Sequence, residues 1–157
     1  MTQPMHTDPD AAEKYERGIT LRKAGLFTQA LKEFEQAAVS RSYALKAYAQ
    51  MGLCHKSTGR REEAVEAFRN ALKCQGSLKE TVQVLYVLGR TLETLGRTEE
   101  TLEVYRWIRR EDPEYRDVAQ RIRELISKRV SASGVHPKPS WVGSVLRSWQ
   151  GLLRSSK

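Results

Sequence analysis

Five positions recur in the same order three times along the chain, and this recurrence constrains the fold more than any other feature. Gly18, Gly52 and Gly89 lie 34 and 37 residues apart, and each is followed seven residues later by Gly25, Gly59 or Gly96. Five residues further on stand Ala30, Ala64 and Thr101, then Phe34, Phe68 and Tyr105, then Ala37, Ala71 and Ile108. A period of this length marks a repeat architecture. One copy reads as a helical hairpin. The first glycine lies inside a helix, where glycine costs about 1 kcal/mol against alanine, so close approach of a second helix must compensate. The second glycine suits the left-handed end of that helix. Thr28 or Thr98 then stands where a side chain could cap the next helix. In that second helix the small, aromatic and small residues share one face at spacings of four and three. A lone hairpin leaves that face open, so copies must stack.

These residues resemble the tetratricopeptide repeat, a 34-residue helix-turn-helix unit. The repeats read at about 11–44, 45–78 and 82–115, within a domain over 11–130. The third departs from the family pattern at Thr101 and Ile108, where alanine is favoured, so its hairpin is expected to be slightly splayed. Three extra residues precede it, where Ser77-Leu-Lys-Glu80 reads as a capping box that starts the fifth helix early. Asp112-Pro113 reads as an N-cap followed by proline in the first turn of a capping helix over about 114–129. There Tyr115, Val118, Ala119, Ile122, Leu125 and Ile126 form an apolar stripe, with Arg116, Asp117, Gln120, Arg121, Arg123 and Glu124 opposite. The resemblance implies an all-α, right-handed α-solenoid of three hairpins, a capping helix and a C-terminal amphipathic helix.

Charge is distributed unevenly. The net formal charge is +8, yet no acidic residue follows Glu124, while Lys128, Arg129, Lys138, Arg147, Arg154 and Lys157 do. The preceding body carries 21 basic and 19 acidic residues, so the basic signal belongs mainly to the tail. Residues 1–10 read as a flexible, polar N-terminus without the pattern of a secretory signal. No stretch reaches the roughly 20 apolar residues of a membrane-spanning helix. The cytoplasm, or its membrane surface, is therefore the expected compartment, with Cys54 and Cys74 reduced and buried. Residues 131–140, containing Gly134, Pro137 and Pro139, read as a linker.

The tail over 141–157 places Trp141, Val142, Val145, Leu146, Trp149, Leu152 and Leu153 on one helical stripe. Three roles fit it: docking on the repeat body, lying in an anionic membrane interface, or joining a partner or a second copy. A tail entering a neighbour's groove would give head-to-tail assembly.

The resemblance further implies that the first helix of each repeat lines a concave, partner-binding surface. The inward positions carried over are Ala12, Tyr15, Ile19, Arg22 and Lys23, then Lys46, Ala49, Leu53, Lys56 and Ser57, then Gln83, Tyr86, Arg90, Glu93 and Thr94. Tyr15, Ile19, Ala49, Leu53 and Tyr86 supply apolar and aromatic contact, with Arg22, Lys23, Lys46, Lys56 and Arg90 supplying charge. An acidic or mixed apolar and acidic segment fits such a groove. The family's carboxylate clamp for chaperone C-termini needs paired asparagines and lysines; Ile19 and Leu53 stand where its polar residues belong, which excludes it here.

The residues point to a non-catalytic adaptor or scaffold, with no cofactor, metal site or catalytic residue. There is no nucleophile signature, phosphate loop or zinc-ligand cluster. Cys54 and His55 are adjacent on a helix and point about 100° apart. Glu62-Glu63 and Glu99-Glu100 open helices, where their charge complements the dipole. The apolar stripe of the tail is unlike a phosphate-binding arm, which weighs against nucleic acid.

Overall fold

In a computed structural model the described residues, 8–131 together with 141–144 and 146, are helical, with turns between the helices and no strand. The helices are α1 (Pro9–Lys23), α2 (Phe27–Ala37), α3 (Arg41–Ser57), α4 (Arg61–Leu72), α5 (Leu78–Thr94), α6 (Thr98–Glu111) and α7 (Val118–Ser131). The chain divides into two compact units, Met1–Val84 and Leu85–Lys157, and the division falls within α5.

In the first unit α1 pairs with α2 and α3 with α4, and α2 and α1 also pack on α3. Helix α1 starts at Pro9, two residues before the boundary expected at 11, because the Asp8 carboxylate caps it by accepting from the Ala11 amide at 3.3 Å. The repeating glycines explain the pairing. Each interior glycine is buried beneath the aromatic of the next helix: Gly18 under Phe34, Gly52 under Phe68 and, in the second unit, Gly89 under Tyr105. A methyl group at Gly18 or Gly52 would lie 2.6 or 2.5 Å from a ring carbon. Hydrogen is therefore the side chain that lets the ring sit flush on the helix.

The turns repeat equally closely. Gly25, Gly59 and Gly96 have φ of 77°, 76° and 71°. The Leu26 amide donates to the Leu21 carbonyl at 2.9 Å, and the Gly25 amide to Arg22 at 3.0 Å. Arg60 with His55, and Arg97 with Leu92, make the same longer bond at 2.9 and 3.0 Å. These are Schellman ends. The residue after each glycine, Leu26, Arg60 or Arg97, is also the N-cap of the following helix and makes no side-chain cap. Thr28 and Thr98 thus lie inside α2 and α6 rather than capping them. The turn is too short to spare a residue for that role.

Helix α5 starts through the expected capping box. The Ser77 amide donates to Glu80 Oε2 at 2.9 Å, and the Glu80 amide to Ser77 Oγ at 3.3 Å.

In the second unit the third hairpin keeps the ring-on-glycine contact, with Tyr105 against Gly89. Thr101, Tyr105 and Ile108 are fully buried. Thr101 is tolerated there because its hydroxyl donates to the Arg97 carbonyl at 2.9 Å, so that hydroxyl is not left unpaired. The Tyr105 hydroxyl likewise donates to Glu93 Oε2 at 3.0 Å.

The capping helix begins at Val118, not near 114. Asp112 ends α6 in extended geometry, and its carboxylate accepts from the Glu114 amide at 3.2 Å, turning the chain. Arg116 then adopts φ of 47°, a left-handed backbone that stops any helix from running through it. From Val118 onward the expected stripe holds at Val118, Ile122 and Leu125, which are buried, but not at Ile126, which is exposed. The Arg129 guanidinium reaches Glu99 at 3.1 Å, which fastens the far end of α7 to α6.

Candidate surface for partner binding

The first unit gathers eight of the ten expected groove residues onto α1 and α3. Repeat-equivalent positions bring like side chains into register: Ile19 with Leu53, and Arg22 with Lys56. Tyr15, Ile19, Arg22, Ala49 and Leu53 are half-buried, while Lys23, Lys46 and Lys56 are exposed. Tyr15 is held rather than free. Its ring lies 5.8 Å from Phe34 and 5.5 Å from Tyr43, and its hydroxyl accepts from Gln50 Nε2 at 3.4 Å. Ile19 also packs against the cluster formed by Ala30, Phe34, Ala37, Ala47 and Cys54. The apolar part of this surface is thus preorganised by the core beneath it, which lowers the ordering cost of binding.

Its charge is less committed. Lys46 reaches Glu80 at 3.6 Å and lies 5.9 Å from the Tyr43 ring centroid. Among the described residues, Arg22, Lys23 and Lys56 form no ion pair. The Arg22 Nε is buried without a hydrogen-bond partner, as is the amide oxygen of Gln50. Burial pushes the Tyr15 hydroxyl above its ordinary range, with Gln50, Lys46 and Arg22 opposing. Burial likewise pushes the Cys54 thiol up, which suits a packed side chain and not a nucleophile.

Gln50 and Tyr43 were not singled out in the sequence. Gln50 follows Lys46 by four residues and precedes Leu53 by three, so helical spacing alone places it on this face.

The second unit treats its two expected residues differently. Tyr86 is buried, and its hydroxyl donates to Asp117 Oδ1 at 2.8 Å. Arg90 Nη1 approaches the same hydroxyl at 3.5 Å. Glu93 occupies the position equivalent to Arg22 and Lys56. It accepts two bonds from Arg121 Nη1, at 3.1 and 3.0 Å, while Arg121 Nε donates to Asp117 at 2.8 Å. Burial opposes ionisation of Asp117, but the Tyr86 hydroxyl and Arg121 hold its carboxyl below the usual range. Burial and the Glu93 carboxylate together push the Tyr105 hydroxyl well up. Tyr86 is therefore an internal fastening between α5 and the turn before α7, in place of the open aromatic contact expected.

Of the expected tail contacts, Trp141 is half-buried, Leu146 is buried and the neighbouring Val142 is buried. Val145, Trp149, Leu152 and Leu153 lie outside the described residues, as do the linker and the N-terminal residues 1–7. Among the described residues, no helix is long and apolar enough to cross a membrane.

The tetratricopeptide-repeat family model matches residues 45–75, which take in most of α3 and all of α4. Among solved structures, the chain is similar to the first tetratricopeptide-repeat domain of Spaghetti (RPAP3) bound to the HSP90 peptide SRMEEVD. The TM-score is 0.64 at 14% identity, over 76% of this chain and 95% of that one. No curated protein sequence matches. With the matching hairpin and turn geometry, these likenesses establish a tetratricopeptide-repeat fold.

Proposed function

We propose that this tetratricopeptide-repeat chain is a non-catalytic adaptor whose α1/α3 face binds an acidic segment with apolar side chains from a partner protein. The observation that carries the reading is the pairing of unspent charge with held apolar surface on one face. Arg22 and Lys56 stand at equivalent repeat positions without carboxylate partners, beside Ile19 and Leu53. Burial of aliphatic anchors would supply affinity, and the cations would select acidic sequence and speed encounter. Support also comes from the similar domain, whose solved structure holds a peptide containing two glutamates and an aspartate. The residues of that domain's site are not carried over, because apolar Ile19 and Leu53 occupy the face here.

Selection from a display library of short random peptides tests the reading. Enrichment of Asp and Glu interleaved with Leu, Ile or Phe is expected. Enrichment of basic sequences, or none above an unfolded control, would overturn it.

A further inference from the structure

We propose that Arg116, held over two tyrosines in the turn before α7, is a second carboxylate-binding point for an acidic partner. The inference rests on the reading that the chain binds acidic segments. Among the described residues, Arg116 is the non-glycine residue with positive φ. A left-handed backbone is unfavourable for a residue with a Cβ, and such strain points to a role for the side chain it positions. The guanidinium lies 4.7 Å from the Tyr86 ring centroid and 5.4 Å from that of Tyr115. The two rings meet edge-on at 5.7 Å, so they form a corner in which the cation is seated.

Fastening does not account for this placement. The turn is already tied to α5 by the Tyr86–Asp117 hydrogen bond and by Arg121, which bridges Asp117 and Glu93. Those bonds engage both carboxylates of the cluster. Among the described residues Arg116 forms no ion pair, and the side chain is exposed. Arg90 is loosely placed, 4.0 Å from Glu93 and 3.5 Å from the Tyr86 hydroxyl. A guanidinium stacked on aromatic faces keeps its N–H edge available and has lost rotamer freedom in advance. That is the state in which arginine binds a carboxylate through two parallel hydrogen bonds at low entropic cost.

The test is a titration of the labelled full-length chain with a capped di-glutamate peptide at low salt, followed by NMR. The Arg116 Nε–Hε signal and the Tyr86 and Tyr115 ring signals should move together and saturate. Arg116→Gly removes the side chain while keeping the left-handed backbone. It should weaken the response of the tyrosine rings on the order of tenfold without lowering the melting temperature. Arg116→Lys, which retains charge but not the planar fork, should fall between. Shifts spread evenly over all exposed arginines would overturn the proposal, as would an unchanged tyrosine response in Arg116→Gly. A lower melting temperature with unchanged titration would make Arg116 a fastening only. Tighter saturation by inorganic phosphate would overturn the carboxylate assignment. Arg22→Glu with Lys56→Glu should leave this titration untouched, so loss of the α1/α3 reading and loss of this one are separable.

Discussion

A glycine inside a helix and a glycine at its end do opposite things in this chain. Gly52 is buried with the Phe68 ring against it, and an added methyl would sit 2.5 Å from a ring carbon. Gly59, seven residues on, has φ of 76° and nothing within 4 Å of such a methyl. Overpacking should make Gly52→Ala cost about 1–3 kcal/mol. Backbone strain alone should make Gly59→Ala cost about 1–2 kcal/mol. Denaturant melts of the two variants check this, and equal losses with an unshifted Phe68 environment would show that the ring is not seated on Gly52. The pair was legible in the sequence because both roles demand glycine and nothing larger. Tyr86 was not legible in the same way. Its repeat position implied an open contact, and only the fold shows Asp117 meeting its hydroxyl across a separation of 31 residues.

At the scale of elements, helix ends explain most differences between expectation and structure. The recurring glycines mark the hairpins and an apolar stripe marks α7, but neither signal reports how a turn is closed. In Gly25-Leu26-Phe27 and its two equivalents, one residue completes the preceding helix and opens the next, so threonine capping has no place. Asp112-Pro113 carried the signature of a helix start, yet the aspartate turns the chain and left-handed Arg116 delays α7 to Val118. Ser77 to Glu80 was read correctly because a reciprocal cap is complete within four residues and needs nothing distant. Its charge has a pH signature. Hydrogen bonding from the Ser77 amide, opposed by burial and aided by the Ser77 hydroxyl and Lys46, holds the Glu80 carboxyl below its ordinary 4.5. A depressed carboxyl contributes stability that is present above its unfolded value and lost as pH falls through the folded one. Stability should therefore decline below about pH 4.5. Glu80→Gln should flatten part of that decline while keeping the helix start. An acid limb identical in the two proteins would show that the charge contributes nothing there.

For the molecule as a whole, charge is sorted along the sequence, and that sorting limits what the chain can bind. The body is close to neutral, whereas every charged residue after Glu124 is basic. On the α1/α3 face the cations without partners stand beside aliphatic side chains. A basic tail from a second copy is poorly matched to that face, since like charges would be brought together at a cost. At the start of the tail, Val142 and Leu146 are buried. The class of fold was open to reading because stacking is written into a period of 34 residues. On the proposed face, helical register alone sets the outward positions of the first two repeats. In the third, distant Asp117 and Arg121 occupy it, which no local pattern reports.

The central claim is that Arg22 and Lys56 read acidic sequence on a preformed apolar face. The most direct measurement is the fluorescence-anisotropy affinity of a peptide built from glutamate and leucine for the wild-type chain and for Arg22→Glu with Lys56→Glu. Melting curves of both proteins accompany it. The account predicts binding that weakens with salt and falls at least about tenfold in the double variant, with melting unchanged because neither side chain holds an ion pair in the fold. Equal affinity in the two proteins, insensitive to salt, would contradict it.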